Sequence, residues 1–302
     1  MKLGLLTPVL SLSPGKHAAW EVDSTIEDVA TIAEAADDLG YEYLTCSEHV
    51  AIPVDRESGF GPGQFPGGCY WDPLATFGFL AARTRNIRFT TLVLVLSYHH
   101  PLDVAKRYGT LDRLSGGRLN LGVGIGYLKP EFELLGADFE GRNGRGDDAI
   151  RAIRAAFGKP VPHYDGPIFK FSDMVIDPCG VQRHLPIWIG GRTRRSLQRA
   201  LELGDVWCPF SLSPDELRHL ILEAARTSLW SRRETPLDVA ASTTVDPLGA
   251  PDETAATVAE LGAAGATMLT LRFRHDSLSH YIEQLPAMVT LMSERELAGW
   301  AG

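Results

Sequence analysis

Apolar runs of strand length alternate with amphipathic helical patterns along almost the whole chain. The opening KLGLLTP reads as a buried strand. In the next stretch, STIEDVATIAEAADDLG, Ile26, Val29, Ala30 and Ala33 recur at the spacing of one helix face. Ser24 and Glu27 have capping-box spacing there, and Gly40 is a stop signal. YEYLTCSEH is a second strand, followed by the helix WDPLATFGFLAART with Asp72 as N-cap and Pro73 at the first helical position. IRFTTLVLVL leads into PLDVAKRYGTLDRL, closed by Gly116 and Gly117, and RLNLGVGIG leads into GRGDDAIRAIRAAFG. The alternation continues with LPIWIGG and TRRSLQRALELG, then DVWCPF and SPDELRHLILEAART, where Ser213 and Glu216 repeat the capping box. LDVAASTTV precedes PDETAATVAELGAAG, and TMLTLRF precedes a last helix from about Ser277.

Eight strand–helix units in 302 residues predict an α/β fold, a (β/α)8 TIM barrel forming one domain over 1–302. Two connections are too long for simple turns. Residues 50–71 are rich in Gly and Pro and follow strand two at its C-terminal end, where barrel enzymes keep their sites, so they are expected to form a lid. Residues 159–185 read as a hairpin inserted before strand five.

Strand four carries an anomaly. Leu119, Leu121, Val123 and Ile125 share one face, while Asn120, Gly122, Gly124 and Gly126 share the other. The spacing is not that of a dinucleotide-binding turn, because Tyr127 stands where that motif needs glycine. With the bulky face on the outer helices, the glycine face should leave a hollow inside the barrel that a flat ring could enter. After strand five, Gly190, Gly191, Arg192 and Thr193 open a helix, a composition suited to holding an anion such as phosphate. At the top of strand two stand Ser47, Glu48 and His49, of which His49 is a candidate acid/base.

Composition narrows the function. Of the residues, 44% are hydrophobic and 22% charged, and the net charge of −9 argues against nucleic acid or an anionic membrane as the main partner. Four scattered cysteines without a CxxC pair point to reduced thiols. No apolar run approaches membrane-spanning length, and Pro8 interrupts the faintly signal-like N-terminus, which leads to an expected cytoplasmic location. Glu48, His49, His99 and His100 lack the His-x-His and later ligands of a barrel metal hydrolase, so no metal site is expected, and no nucleophile elbow is present.

The segment YHHPLDVAKRYGTLDRLSGGRLNLGVGIGYLKPEFELLG resembles the central signature of the bacterial luciferase-like monooxygenases, closest to the branch dependent on the deazaflavin coenzyme F420. YEYLTCSEH, YWDPLATFGFLAART and PIWIGGRTRRSLQRALELGDVWCPF are similar to the same family in the same order. The resemblance implies a flavin or deazaflavin at the C-terminal mouth, and a non-prolyl cis peptide around Thr91, Leu92 and Val93 buttressing the ring. It further implies Gly124, Gly126 and Tyr127 at the ring or its side chain, and Gly190 to Thr193 at the phosphate. Glu48 and His49 would form an acidic–imidazole pair at the reactive face. Tyr127 departs from the sugar-phosphate dehydrogenases of the group, which carry a catalytic Glu there; it could bind substrate or wall the pocket. The expected activity is hydride transfer between F420 and a small organic substrate, with His49 as proton donor. The alternatives are an FMN-dependent monooxygenase served by a separate reductase and a non-catalytic flavin-binding protein. Homo-oligomerisation is implied by the resemblance alone.

Overall fold

The computed structural model describes residues 1–10, 18–52 and 70–297, the last three without side-chain detail. Its elements in chain order begin with β1 (Lys2–Leu5), α1 (Ile26–Asp38), β2 (Tyr43–Cys46), α2 (Pro73–Arg83), β3 (Arg88–Thr91), β4 (Leu94–Val95) and α3 (Pro101–Leu114). There follow β5 (Leu119–Gly124), α4 (Lys129–Leu134), α5 (Arg142–Ala156), and the short strands β6 (Tyr164–Asp165) and β7 (Lys170–Phe171). The chain continues through β8 (Ile187–Gly190), α6 (Arg194–Leu203), β9 (Val206–Cys208), α7 (Pro214–Ala225) and α8 (Ser228–Ser231). It ends with β10 (Asp238–Val245), α9 (Pro251–Ala263), β11 (Met268–Phe273) and α10 (Leu278–Leu297).

Parallel pairing runs from β1 through β2, β3, β5, β8, β9, β10 and β11 and back to β1, closing an eight-stranded barrel with helices outside. β4 continues the third barrel strand after a bulge. Thr90 lies opposite Asn120 and Leu94 opposite Val123, so four steps on one strand match three on the other. The bulge contains a cis peptide at Leu92–Val93, where the family resemblance places one.

Tyr43, Trp188, Val206, Cys208, Ala240 and Met268 fill the barrel interior, with Leu92 packed against them. The larger outer core lies between strands and helices, from Leu44 and Phe89 to Ile187 and Leu269. The helix signals worked as expected at Asp72, whose carboxylate accepts from the Ala75 amide, and at Ser213 with Glu216. On α1 the cap lies one residue later than expected. Thr25 and Asp28 form the capping box, while the Ser24 hydroxyl donates to the Glu21 carbonyl and Glu27 pairs with Arg83.

The glycine row of β5 faces inward as expected, but the hollow is taken by the chain itself. A Cβ on Gly122 would lie 1.8 Å from the Thr91 carbonyl oxygen, and one on Gly124 would lie 2.6 Å from Val93 Cγ2. A Cβ on Gly190 would meet the same Val93 side chain at 2.6 Å, and one on Gly126 would meet Val95 and Phe132. Gly122, Gly124 and Gly190 therefore make room for the bulge between β3 and β4, not for a ring lying directly on β5, and Gly126 makes room for Val95 and Phe132.

The inserted hairpin is present: β6 and β7 pair antiparallel, Tyr164 with Phe171 and Asp165 with Lys170. Asp148 on α5 pins it by accepting from the Tyr164 hydroxyl and the Ile168 and Phe169 amides at 2.5, 3.0 and 2.9 Å. The expected lid is described only at its two ends, because residues 53–69 lie outside the described residues. No described helix is long and apolar enough to cross a membrane.

Candidate active site

β2 ends in a barrel mouth where two carboxylates and two imidazoles form crossed pairs. Glu48 and His49 are consecutive, and their side chains engage different elements. Glu48 Oε1 lies 2.7 Å from His99 Nε2, and its Oε2 accepts from the Val95 amide at 2.7 Å. His49 Nδ1 lies 3.0 Å from Glu131 Oε2. Glu48 and His49, which the resemblance implies together at the reactive face, do not hydrogen-bond to each other, because the Glu48 oxygens are held by the β4 end and His99. The acid that meets His49 is Glu131 on α4.

Glu131 is 1% exposed, yet each of its oxygens is well supplied with donors. Oε1 accepts from the Val50 and Ala51 amides at 2.6 and 3.1 Å, and Oε2 accepts from the Tyr98 hydroxyl at 3.0 Å beside His49. Burial alone would raise its pKa, but the His49, Ala51 and Val50 hydrogen bonds outweigh burial and hold the carboxyl below its usual range. The same neighbourhood acts oppositely on phenols. Burial, with Tyr127 and Glu131 nearby, pushes Tyr70 up to about 12, and burial with Glu131 pushes Tyr98 up as well. The Tyr70 ring stands edge-on against His49, 4.8 Å between centroids.

The other expected site residues are dispersed around this mouth. The Thr91 hydroxyl is spent on the Gly122 carbonyl at 2.7 Å, and Leu92 packs onto the barrel interior. Tyr127 is 65% exposed at the rim. Two buried hydroxyls, Thr7 Oγ1 and Ser97 Oγ, follow β1 and β4 and have no hydrogen-bond partner among the described residues. On β8, Gly190 leads to Gly191 at φ +133°, and Thr193 caps α6 by accepting from the Ser196 amide at 3.2 Å. That cap leaves the first-turn amides of Arg194 and Arg195, which no helix carbonyl can reach. Arg192 lies over the exposed Phe210 ring, 5.6 Å from its centroid, whereas Arg194 is drawn away to Glu223 at 2.6 Å.

Sequence reasoning missed Glu131, Tyr98 and His99 as members of this cluster. Only one signal pointed to Glu131: it follows Pro130 at the opening of a short helix directly after the glycine strand. His99 and His100 were weighed as metal ligands and read instead as a loop leading into the third helix. His100 caps α3 through Nδ1, and among the described residues no group of His, Cys, Asp and Glu could hold a metal ion.

The chain belongs to the luciferase-like monooxygenase family, whose pattern it matches over residues 1–288. An uncharacterised Mycobacterium tuberculosis protein is 29% identical over 214 residues, which is 69% of this chain and 74% of that protein. The 4-hydroxyprotoasukamycin monooxygenase of Streptomyces nodosus subsp. asukaensis is 39% identical over 107 residues, or 35% of this chain and 25% of that enzyme. Among solved structures, a monooxygenase from Streptomyces bottropensis superposes with a TM-score of 0.74 at 19% identity, covering 98% of this chain and 100% of its own. An F420-dependent secondary alcohol dehydrogenase, solved with an F420–acetone adduct, gives 0.72 at 15% identity, covering 95% and 98%. At these identities the two structures speak for the fold.

Proposed function

We propose that this protein is an F420-dependent oxidoreductase that moves a hydride between the deazaflavin and a small organic substrate. The observation that carries the reading is the part-buried His49–Glu131 pair at the barrel mouth, an acid/base group already ordered by the fold. F420, when bound, supplies the carbon that takes or gives the hydride. The residues fit such a group. Thr7 and Ser97, buried hydroxyls without a hydrogen-bond partner among the described residues, would be available to polar atoms of the ring, and the Gly190–Thr193 turn with the α6 start would suit a phosphate. His49 exchanges the substrate proton, and Tyr70 and Tyr98 remain neutral donors near physiological pH. The similarity of the dehydrogenase with its F420–acetone adduct supports a carbonyl or secondary alcohol as the substrate class.

A second reading rests on a separate observation, the 107-residue similarity to 4-hydroxyprotoasukamycin monooxygenase. On that reading reduced FMN from a partner reductase binds the same mouth and oxygen is used. Titrating the apo-protein with F420 and with FMN, oxidised and reduced, distinguishes the two by fluorescence. Micromolar or tighter F420 binding with weak FMN binding is expected. A preference for reduced FMN would replace the first reading with the second, and binding of neither would remove both.

A further inference from the structure

We infer that Glu131 is a positioning residue that fixes the tautomer of His49, so that the neutral ring carries its proton on Nδ1 and exchanges protons with substrate through Nε2. The inference deepens the proposed function and rests on its assignment of His49 as the proton carrier. The geometry leaves little choice of donor and acceptor. An ionised carboxylate only accepts hydrogen bonds. With Glu131 Oε2 3.0 Å from Nδ1, the ring nitrogen must be the donor, and a neutral imidazole then presents Nε2 as a base.

The two oxygens of Glu131 are not equivalent, and this makes the idea testable. Oε1 is committed to two backbone amides, Val50 and Ala51, whereas Oε2 meets His49 and the Tyr98 hydroxyl. In Glu131→Gln, the amide oxygen must take the Oε1 place to keep those backbone bonds. The amide nitrogen then points at His49 Nδ1 and forces it to accept. The proton of the neutral ring moves to Nε2, and the ring can no longer take a proton there. The tyrosine hydroxyl tolerates the change, because it can turn from donor to acceptor.

Among the described residues, the other charged and titratable groups around the pair supply no alternative acid. Tyr70 stacks edge-on against the ring, Tyr98 is bound to the same carboxylate, and Tyr127 lies at the rim. Glu48, the adjacent carboxylate, is occupied by His99 and the Val95 amide, and His99 also faces Asp103 at 3.9 Å.

In the oxidative direction the hydride, hydrogen with both electrons, would pass from the substrate C–H bond to a bound deazaflavin. The hydroxyl proton passes to His49 Nε2, leaving a carbonyl product and an imidazolium whose Nδ1–H faces Glu131. Loss of that acceptor should lower the oxidative kcat about a hundredfold, the low end of general-base effects, with KM little changed.

The test is nitrogen NMR of the full chain labelled at histidine, recorded without cofactor at alkaline pH. The parent should show His49 protonated at Nδ1, and Glu131→Gln should show it protonated at Nε2. A parent proton on Nε2, or an unchanged tautomer in the variant, would overturn the inference; the parent spectrum alone decides if the variant does not fold. A tautomer that switches with no loss of oxidative turnover would leave this assignment standing and remove His49 from the proposed chemistry.

Discussion

Glu131 and Asp148 are built alike and do different things. Each is 1% exposed, each accepts from two consecutive backbone amides, and each accepts from one tyrosine hydroxyl. In both, burial would raise the pKa and the hydrogen bonds reverse it, holding the carboxyl below its ordinary range. Asp148 uses the arrangement to fasten the 159–185 insertion to α5. Glu131 fastens the chain leaving β2, and there alone an imidazole joins the cluster. On the proposed function, that one added partner would make a structural pin part of a proton path, and the two sites serve as controls for each other.

The largest expected difference comes from the imidazole. His49→Gln should lower turnover by about two to four orders of magnitude while F420 affinity, read by fluorescence titration, stays within a few-fold. Equal losses of affinity and turnover would make His49 a binding group instead. Next comes the pin itself. Asp148→Asn should cost about 2 kcal/mol of stability, the scale of hydrogen bonds to a charged acceptor, and leave kcat unchanged, as denaturant midpoints and steady-state rates would report. If Asp148→Asn impaired turnover as much as Glu131→Gln, the contrast would collapse.

Acid provides a third separation. A carboxyl whose folded pKa is depressed adds stability that is full above its unfolded value and is lost as pH falls through the folded value. Stability should therefore decline below the ordinary carboxylate range, and Asp148→Asn and Glu131→Gln should each flatten that decline in denaturant titrations at stepped pH. The smallest effect is expected from single hydroxyls. Tyr164→Phe and Tyr98→Phe should each cost about 1 kcal/mol, with only Tyr98→Phe altering the pH profile of turnover.

Much of the barrel was legible because strand and helix periods, N-caps and stop glycines are local signals. The one-residue error on α1 has a local cause: Ser24 with Glu27 and Thr25 with Asp28 both satisfy the same spacing. The glycine row was legible as an anomaly, but its occupant was not. The atoms that fill it belong to Thr91 and Val93 on another strand, at a bulge that no periodicity announces. The site divided in the same way. His49 stood out at a strand end, whereas its acid lies 82 residues away and the partner of Glu48 lies 51 away. Glu48 and His49, neighbours in sequence, take different partners, because consecutive side chains leaving a strand face different elements.

The central claim is that the Glu131-held His49 serves hydride transfer and not oxygen activation. It is tested most directly by following F420 spectrally without oxygen, in the presence of a panel of secondary alcohols, with the parent and with His49→Gln. The account predicts that at least one alcohol reduces F420 stoichiometrically with the parent and that the variant is slowed at least a hundredfold. Product formation only with reduced FMN and oxygen, and no anaerobic reduction of F420 by any alcohol, would contradict it.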